Sequence, residues 1–185
     1  MLELAGLARI LDVDARTLRR AAADGTIRCE RVSARRQRVG EDERLYAERH
    51  WPLLSALRHA LRTEPNVRLA VLYGSVARGD DTPDSDVDLL VSLREDRPDA
   101  AVKLAVHLER AVGREVDVAR LNRIQDTSPL LLLEAVDDGR VVLDRDGEWI
   151  RLCARRSEIA RHARRAHQAR RRRARTSVRE LLAER

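Results

Sequence analysis

The sequence predicts an α/β (α+β) chain: a small mixed sheet with flanking helices, preceded by a module of two helices and a hairpin and followed by a basic carboxy-terminal helix. Three observations carry this expectation. Val- and Leu-rich apolar runs at 69–73 and 87–92, bounded by Gly, Pro or Asp, have the length of buried strands. Helical spacings of apolar residues lie on either side of them. From Glu148 onward the chain has almost no Gly or Pro and concentrates arginine. We divide the chain into 1–45, the amino-terminal module; 46–64, connecting helices; 65–147, the central domain; and 148–185, the tail.

In the first segment, Glu3–Leu11 has a short helical pattern and Asp12–Asp14 reads as a turn. Ala15–Ala23 forms a second helical pattern, stopped by Asp24-Gly25. Val13 and Leu18 fall on the core side, and the arginines fall outside. Cys29–Val32 and Gln37–Val39 then flank Ser33-Ala34-Arg35-Arg36 as a small hairpin. The string LARILDVDARTLRRAAADGTI resembles the start of the MerR-like or excisionase-like winged helix-turn-helix group. That resemblance implies DNA binding, with Arg16, Thr17, Arg19 and Arg20 in the major groove and Arg35 and Arg36 on the wing. A docking module that shields the sheet, or that contacts tRNA or protein, is the alternative.

Residues 41–63 read as helical. Proline suits a first turn and disrupts an interior, so Pro52 predicts a break near His50–Trp51 and a helix from Pro52 to Arg62. Leu53, Leu54, Leu57 and Leu61 should pack on the sheet. His50 and His59 lack partners at metal-ligand spacing and are expected at the surface or an interface, with Trp51 as a boundary anchor.

The chemistry concentrates in Val67–Leu90. An apolar run ends in Gly74-Ser75, and after ten intervening residues comes Asp86-x-Asp88 on a second apolar run. Side chains two apart on a strand share a face, so the two carboxylates stand side by side. Such a pair raises its own proton affinity unless neutralised, and an all-oxygen site suits Mg²⁺. At Gly74-Ser75 the turn can expose backbone N–H groups to phosphate, with the Ser75 hydroxyl and the Arg78 guanidinium as further donors. In the intervening GDDTPDS segment, Asp80, Asp81 and Asp84 are expected to be solvated. A helical pattern at Ala101–Val112 then leads to Glu115-Val116-Asp117-Val118-Ala119. If this strand pairs beside Asp86–Ser92, Asp117 completes a triad that binds metal and takes a proton from an attacking hydroxyl.

Gly74-Ser75, Asp86-x-Asp88 and the later Asp117 together resemble the minimal nucleotidyltransferases of the DNA polymerase beta superfamily. The text GSVARGD and SDVDLLV is close to the antitoxin-type members that accompany HEPN toxins. The resemblance covers roughly residues 65–146. It implies Mg²⁺-dependent transfer of a nucleoside monophosphate from an NTP, ATP foremost, to a hydroxyl, with pyrophosphate released. The implied catalytic and metal residues are Asp86, Asp88 and Asp117, and the nucleotide-binding residues are Gly74, Ser75 and Arg78. A tyrosine of a partner HEPN-type toxin and a tRNA end are both open as acceptors. A non-catalytic DNA-binding regulator on the same scaffold is a further alternative.

Past Asp117, Arg120 and Arg123 are candidate phosphate contacts, with solvent or interface as the default. Ser128-Pro129 opens a helix over Leu130–Asp138, whose four-leucine run Leu130–Leu133 is expected in the core. Gly139 stops that helix, and Arg140–Leu143 is a last strand. In the tail, Ile150, Ala154, Ile159, Ala163 and Ala166 form a weak apolar stripe. Arg161, Arg164, Arg165 and Arg170–Arg173 build a basic field that invites an anionic partner, DNA, tRNA or an acidic protein face. Val178, Leu181 and Leu182 offer a stripe for packing back or dimerising.

The chain of 185 residues carries a net charge of +6, overwhelmingly through arginine, and its core must be aliphatic because it contains no Phe. Isolated Cys29 and Cys153 fit neither a metal site nor a secreted disulfide framework. With no signal peptide and no apolar run able to span a bilayer, a cytoplasmic protein without membrane association is expected.

Overall fold

The computed structural model describes residues 1–33 and 36–183, with side chains described for all of these except Pro98 and residues 172–183. The chain opens with β1 (Leu2–Glu3), α1 (Leu4–Ile10), α2 (Ala15–Asp24), β2 (Glu30–Arg31) and β3 (Gln37–Val39). The Asp14 carboxylate caps α2 by accepting from the N–H groups of Arg16 (2.8 Å) and Thr17 (3.3 Å). Gly25 ends α2 in the left-handed conformation, φ +89°. The three short strands pair antiparallel in the order β1-β3-β2. Leu18 and Ala21 are buried and Val13 partly so, while Arg16, Thr17, Arg19 and Arg20 face solvent. Arg36 is exposed, and Arg35 lies outside the described residues.

One helix follows where two were expected. α3 (Glu41–Arg62) runs through Pro52 without a break. Its buried stripe of Tyr46, Ala47, His50, Trp51, Leu54, Leu57 and Leu61 continues on both sides of the proline. Tertiary packing of that stripe offsets the missing hydrogen bond. Leu53 is only partly buried. His59 is exposed as expected, but His50 is buried and its ring stacks on Tyr46 at a centroid distance of 4.3 Å.

The main sheet is formed by β4 (Val67–Tyr73), β5 (Val87–Leu93), β6 (Val116–Arg120) and β7 (Arg140–Asp144), ordered β6-β5-β4-β7. Between the strands run α4 (Gly74–Arg78), α5 (Pro98–Val112), α6 (Leu121–Thr127) and α7 (Pro129–Asp138). After β7 come α8 (Glu148–Ala154) and α9 (Arg156–Ala183). The β4–β5 and β4–β7 pairs are antiparallel, and β5 and β6 are parallel, joined by the α5 crossover. The sheet is therefore mixed.

Alternation along the strands divides the core into two layers. On one face Ala70, Leu72, Val87, Leu89 and Val91 pack with α3 and α5 through Leu54, Leu57, Leu61, Leu104 and Leu108. On the other, Leu69, Val71, Tyr73 and Leu90 meet α6 to α9 through Ile124, Leu132, Ala135, Leu152 and Ile159. In the four-leucine run only Leu132 is fully buried, and Leu130 is exposed because it lies on the outer face of α7. Ile150 is likewise 75% exposed and Ala154 is exposed, so the tail packs through Ile159 and Ala163 instead. The expected stripe of Val178, Leu181 and Leu182, and the side chains of Arg172 and Arg173, lie outside what is described.

The amino-terminal module is welded to the sheet. Its residues Leu4, Leu7, Leu18 and Ile27 belong to the same apolar cluster as Leu72 and Val142. The Thr26 hydroxyl donates to the Val141 carbonyl and the Val141 N–H reaches the Gly25 carbonyl, covering the outer edge of β7. Two buried arginines complete the joint. Arg58 donates to Thr26 Oγ1, the Val142 carbonyl and Asp24 Oδ2. Arg140 forks onto Glu43 at 2.6 and 2.9 Å, donates to the Ala77 carbonyl, and lies 3.4 Å over the Tyr46 ring.

Candidate active site

The end of β4, the α4 turn and the starts of β5 and β6 converge at one edge of the sheet. Register explains how. Tyr73 opposes Asp88 across the β4–β5 pair, and Asp88 stands directly beside Asp117 across the parallel β5–β6 pair. Partners in a ladder face the same side, so Tyr73, Asp88 and Asp117 share the face covered by α7. Asp86 lies one residue ahead of β5 and is exposed, as is Asp117, while Asp88 is half-buried.

Gly74 makes the convergence possible. It turns the chain from β4 into α4 at φ +73°, and a β-carbon there would overlap Asp88 Oδ2 and stand 3.1 Å from Asp88 Cγ. Only glycine fits both demands. The Asp88 carboxylate is thus seated against the backbone of the turn that begins with Gly74-Ser75. Ser75 is half-buried, and its carbonyl accepts from the N–H groups of Gly79 (2.8 Å) and Asp80 (3.2 Å), which closes the turn. The first N–H groups of a helix have no partner within it, so those of α4 are available to an anion.

The electrostatics are those of crowded carboxylates. Burial raises the proton affinity of Asp88, and the neighbouring charges of Asp117, Asp86 and Glu134 raise it further. Tyr73 is pushed up by burial and by Asp88, Asp117 and Glu134, so its phenol stays protonated beside the cluster. Glu134, from α7, had no distinguishing sequence signal. It receives Arg78 Nη1 at 2.7 Å, while Arg78 Nε reaches Asp80 at 3.3 Å. The guanidinium expected to meet phosphate is therefore held by two exposed carboxylates at the rim of the site.

Asp80 and Asp84 are exposed as expected, but Asp81 is not solvated. It is buried, 2.7 Å from His50 Nε2 and 3.1 Å from Arg114 Nη1. Those partners hold its carboxyl below the ordinary range, outweighing the burial that opposes them. Local sequence pattern marks neither His50 nor Arg114 as a partner, because they lie 31 and 33 residues away. Of the two arginines considered as phosphate contacts, Arg120 pairs with Asp96 at 2.7 Å, away from the carboxylates. Arg123 is exposed on α6.

Among the described residues, no group of three or more His, Cys, Asp or Glu side chains is arranged to hold a metal ion unaided. The donors nevertheless suit Mg²⁺. That ion is commonly held by one or two carboxylates together with substrate phosphates and water, and the mutual repulsion felt by Asp88 is the field a divalent cation relieves. No described helix is long and apolar enough to cross a membrane.

A known family, a curated relative and solved structures resemble this chain. The polymerase beta nucleotidyltransferase model matches residues 55–148. A Methanocaldococcus jannaschii protein, provisionally named a protein adenylyltransferase, is 41% identical over 76 residues, 38% of this chain and 78% of that protein. A chain in the crystal structure of a toxin–antitoxin with AMP-PNP superposes with a TM-score of 0.53 at 23% identity, covering 63% of this chain and 93% of that one. A chain in the complex of tri-AMPylated Shewanella oneidensis HEPN toxin with MNT antitoxin gives 0.50 at 20% identity, covering 65% and 93%. These two likenesses are of fold.

Proposed function

The chain belongs to the polymerase beta nucleotidyltransferase family and is a nucleotidyltransferase; from that premise we propose that it transfers AMP from ATP to a tyrosine hydroxyl of a partner HEPN-type toxin. The observation that carries the proposal is the register placing Asp88 beside Asp117 and against the Gly74 turn. The name of the archaeal relative favours protein as acceptor and AMP as the group moved. The toxin–antitoxin setting of the fold neighbours favours a toxin as that protein.

In this mechanism Asp86, Asp88 and Asp117 would hold Mg²⁺, which supplies charge neutralisation for the triphosphate when bound. The N–H groups of the Gly74-Ser75 turn and the Ser75 hydroxyl grip the outer phosphates. Arg78 exchanges an exposed carboxylate for phosphate oxygens, a trade favoured by the greater charge of the triphosphate. The acceptor hydroxyl attacks the α-phosphorus in line, and Asp117 takes its proton. As the new O–P bond forms, the bond to the bridging oxygen breaks, and pyrophosphate leaves with that electron pair. Tyr73, kept protonated, closes the floor of the site.

The amino-terminal module is proposed to bind DNA, since Arg16, Thr17, Arg19 and Arg20 project together from α2 and Arg36 lies by the hairpin. An RNA acceptor is the second reading, favoured by the exposed Arg161, Arg165, Arg170 and Arg171 along α9.

The test incubates the protein with labelled ATP, Mg²⁺ and a host-type lysate containing tRNA and a co-expressed HEPN protein. Label on the protein, absent with Asp86→Ala, is the expected result. Label on RNA would move the assignment to the second reading. Undiminished labelling by an Asp86→Ala/Asp88→Ala variant would overturn the site.

A further inference from the structure

Arg114 belongs to none of the groups assigned above to nucleotide or metal, yet it ties together the two segments that deliver the carboxylates. It sits between Gly113, which ends α5 at φ +68°, and the start of β6, three positions before Asp117. Its guanidinium reaches back into the loop before β5. Nη1 donates to Asp81 Oδ2 (3.1 Å), Nε to the Ser85 carbonyl (3.0 Å), and Nη2 to the carbonyls of Thr82 (3.3 Å) and Ser85. Ser85 immediately precedes Asp86. One side chain therefore spans from the entry of the Asp117 strand to the entry of the Asp86–Asp88 strand.

The far end of this brace is anchored. The Asp81 carboxylate, 4% exposed, also meets His50 Nε2 at 2.7 Å and lies 3.7 Å from Arg49 on α3. Arg49 further donates to the carbonyls of Asp81 (2.5 Å) and Gly79 (3.4 Å). An acidic loop that charge repulsion would otherwise push into solvent is drawn inward at both ends. Main-chain bonds at this entry include the Val87 N–H to the Glu115 carbonyl at 2.9 Å and the Ser85 N–H to the Thr82 carbonyl at 3.1 Å. The first joins the two strands and the second closes the loop on itself, whereas the Arg114 fork joins that loop to the segment entering the Asp117 strand.

We propose that Arg114 is a positioning residue: braced on Asp81, it sets the spacing of Asp86 from Asp117 and so determines how tightly the carboxylates take a divalent cation. This rests on the reading of those carboxylates as the metal site. Groups that orient metal ligands commonly contribute ~10–100-fold in affinity. The planar fork matters as well as the charge, because three different oxygens are held at fixed angles.

The test measures Mn²⁺ binding to the full chain by electron paramagnetic resonance, with a non-hydrolysable ATP analogue present, alongside thermal melting. Arg114→Lys keeps the charge beside Asp81 but cannot reach all three acceptors. We expect it to remain folded and to weaken Mn²⁺ binding ~10-fold. Arg114→Met should weaken binding at least as much. Arg58→Met, which cuts a buried network remote from the carboxylates, should lower the melting temperature and leave Mn²⁺ affinity unchanged. Parental Mn²⁺ affinity in Arg114→Lys would overturn the proposal, as would an equal loss in Arg58→Met, which would make the effect one of general stability. Asp88→Asn is the separate control: if it binds Mn²⁺ like the parent, the metal-site reading fails, whatever Arg114 does.

Discussion

Replacing Gly74 with alanine tests the geometry that seats Asp88. Two costs are built into the position. The left-handed backbone at φ +73° disfavours any residue with a β-carbon, by ~1–2 kcal/mol. The new methyl would also overlap Asp88 Oδ2, and Cγ at 3.1 Å leaves no room for a small adjustment, so the carboxylate must turn away from its rotamer at ~0.5–1.5 kcal/mol. Together these give ~1.5–3.5 kcal/mol, or a fall of ~3–14 °C in melting temperature for a chain of this size. The second cost depends on Asp88. In an Asp88→Ala background, Gly74→Ala should retain the backbone cost and lose the steric one. Thermal or denaturant unfolding of the two single variants and the double variant reads this as a coupling of about 1 kcal/mol. Strict additivity would refute the close approach of Asp88 to the turn. Transfer activity should also fall at least tenfold in Gly74→Ala, because a displaced Asp88 is no longer beside Asp117.

Other expectations follow from charge and burial. Because the folded protein raises the proton affinity of Asp88, its ionisation costs stability as pH rises through its folded pKa. Asp88→Asn should therefore melt higher than the parent at neutral pH, with the difference vanishing in acid below the ordinary Asp pKa, as melts across pH would show. Asp81 has the opposite sign: its lowered pKa contributes stability above the unfolded value, lost as pH falls through the folded one, so Asp81→Asn should flatten the acid side of the stability profile. Arg140→Met leaves the part-buried Glu43 with the Arg28 N–H but without its fork and should cost up to ~3 kcal/mol in urea unfolding; adding Glu43→Gln should recover part of that. Arg78→Ala should raise KM for ATP ~10-fold or more with a smaller change in kcat, since the loss is of phosphate binding outside the reacting bond.

Local chemistry explains which features were legible before the structure. The runs at 69–73 and 87–92 are strands because their apolar content, length and flanking turn residues all agree. Gly74 was recognisable as a turn, and Asp14 and Gly25 bound α2 as cap chemistry requires. Pro52 was misleading because a propensity read over one turn was weighed against a buried stripe seven side chains long. Leu130 and Ile150 misled for a related reason: apolar character does not say which side of a helix meets a neighbour.

The sequence by itself determined the strand–turn–strand spacing and the family to which it belongs. Each is set by covalent spacing and backbone geometry within a few residues. Only the tertiary structure decided that Asp117 stands level with Asp88, because that register is fixed by where the α5 crossover returns the chain. The same holds for Glu134 at the rim, for Asp81 clasped by His50 and Arg114, and for Arg140 joining α3 to α4. These are charges whose partners lie 31 to 97 residues away. A carboxylate's neighbours and burial, which set its proton affinity and its use, are properties of the packed chain rather than of its own segment.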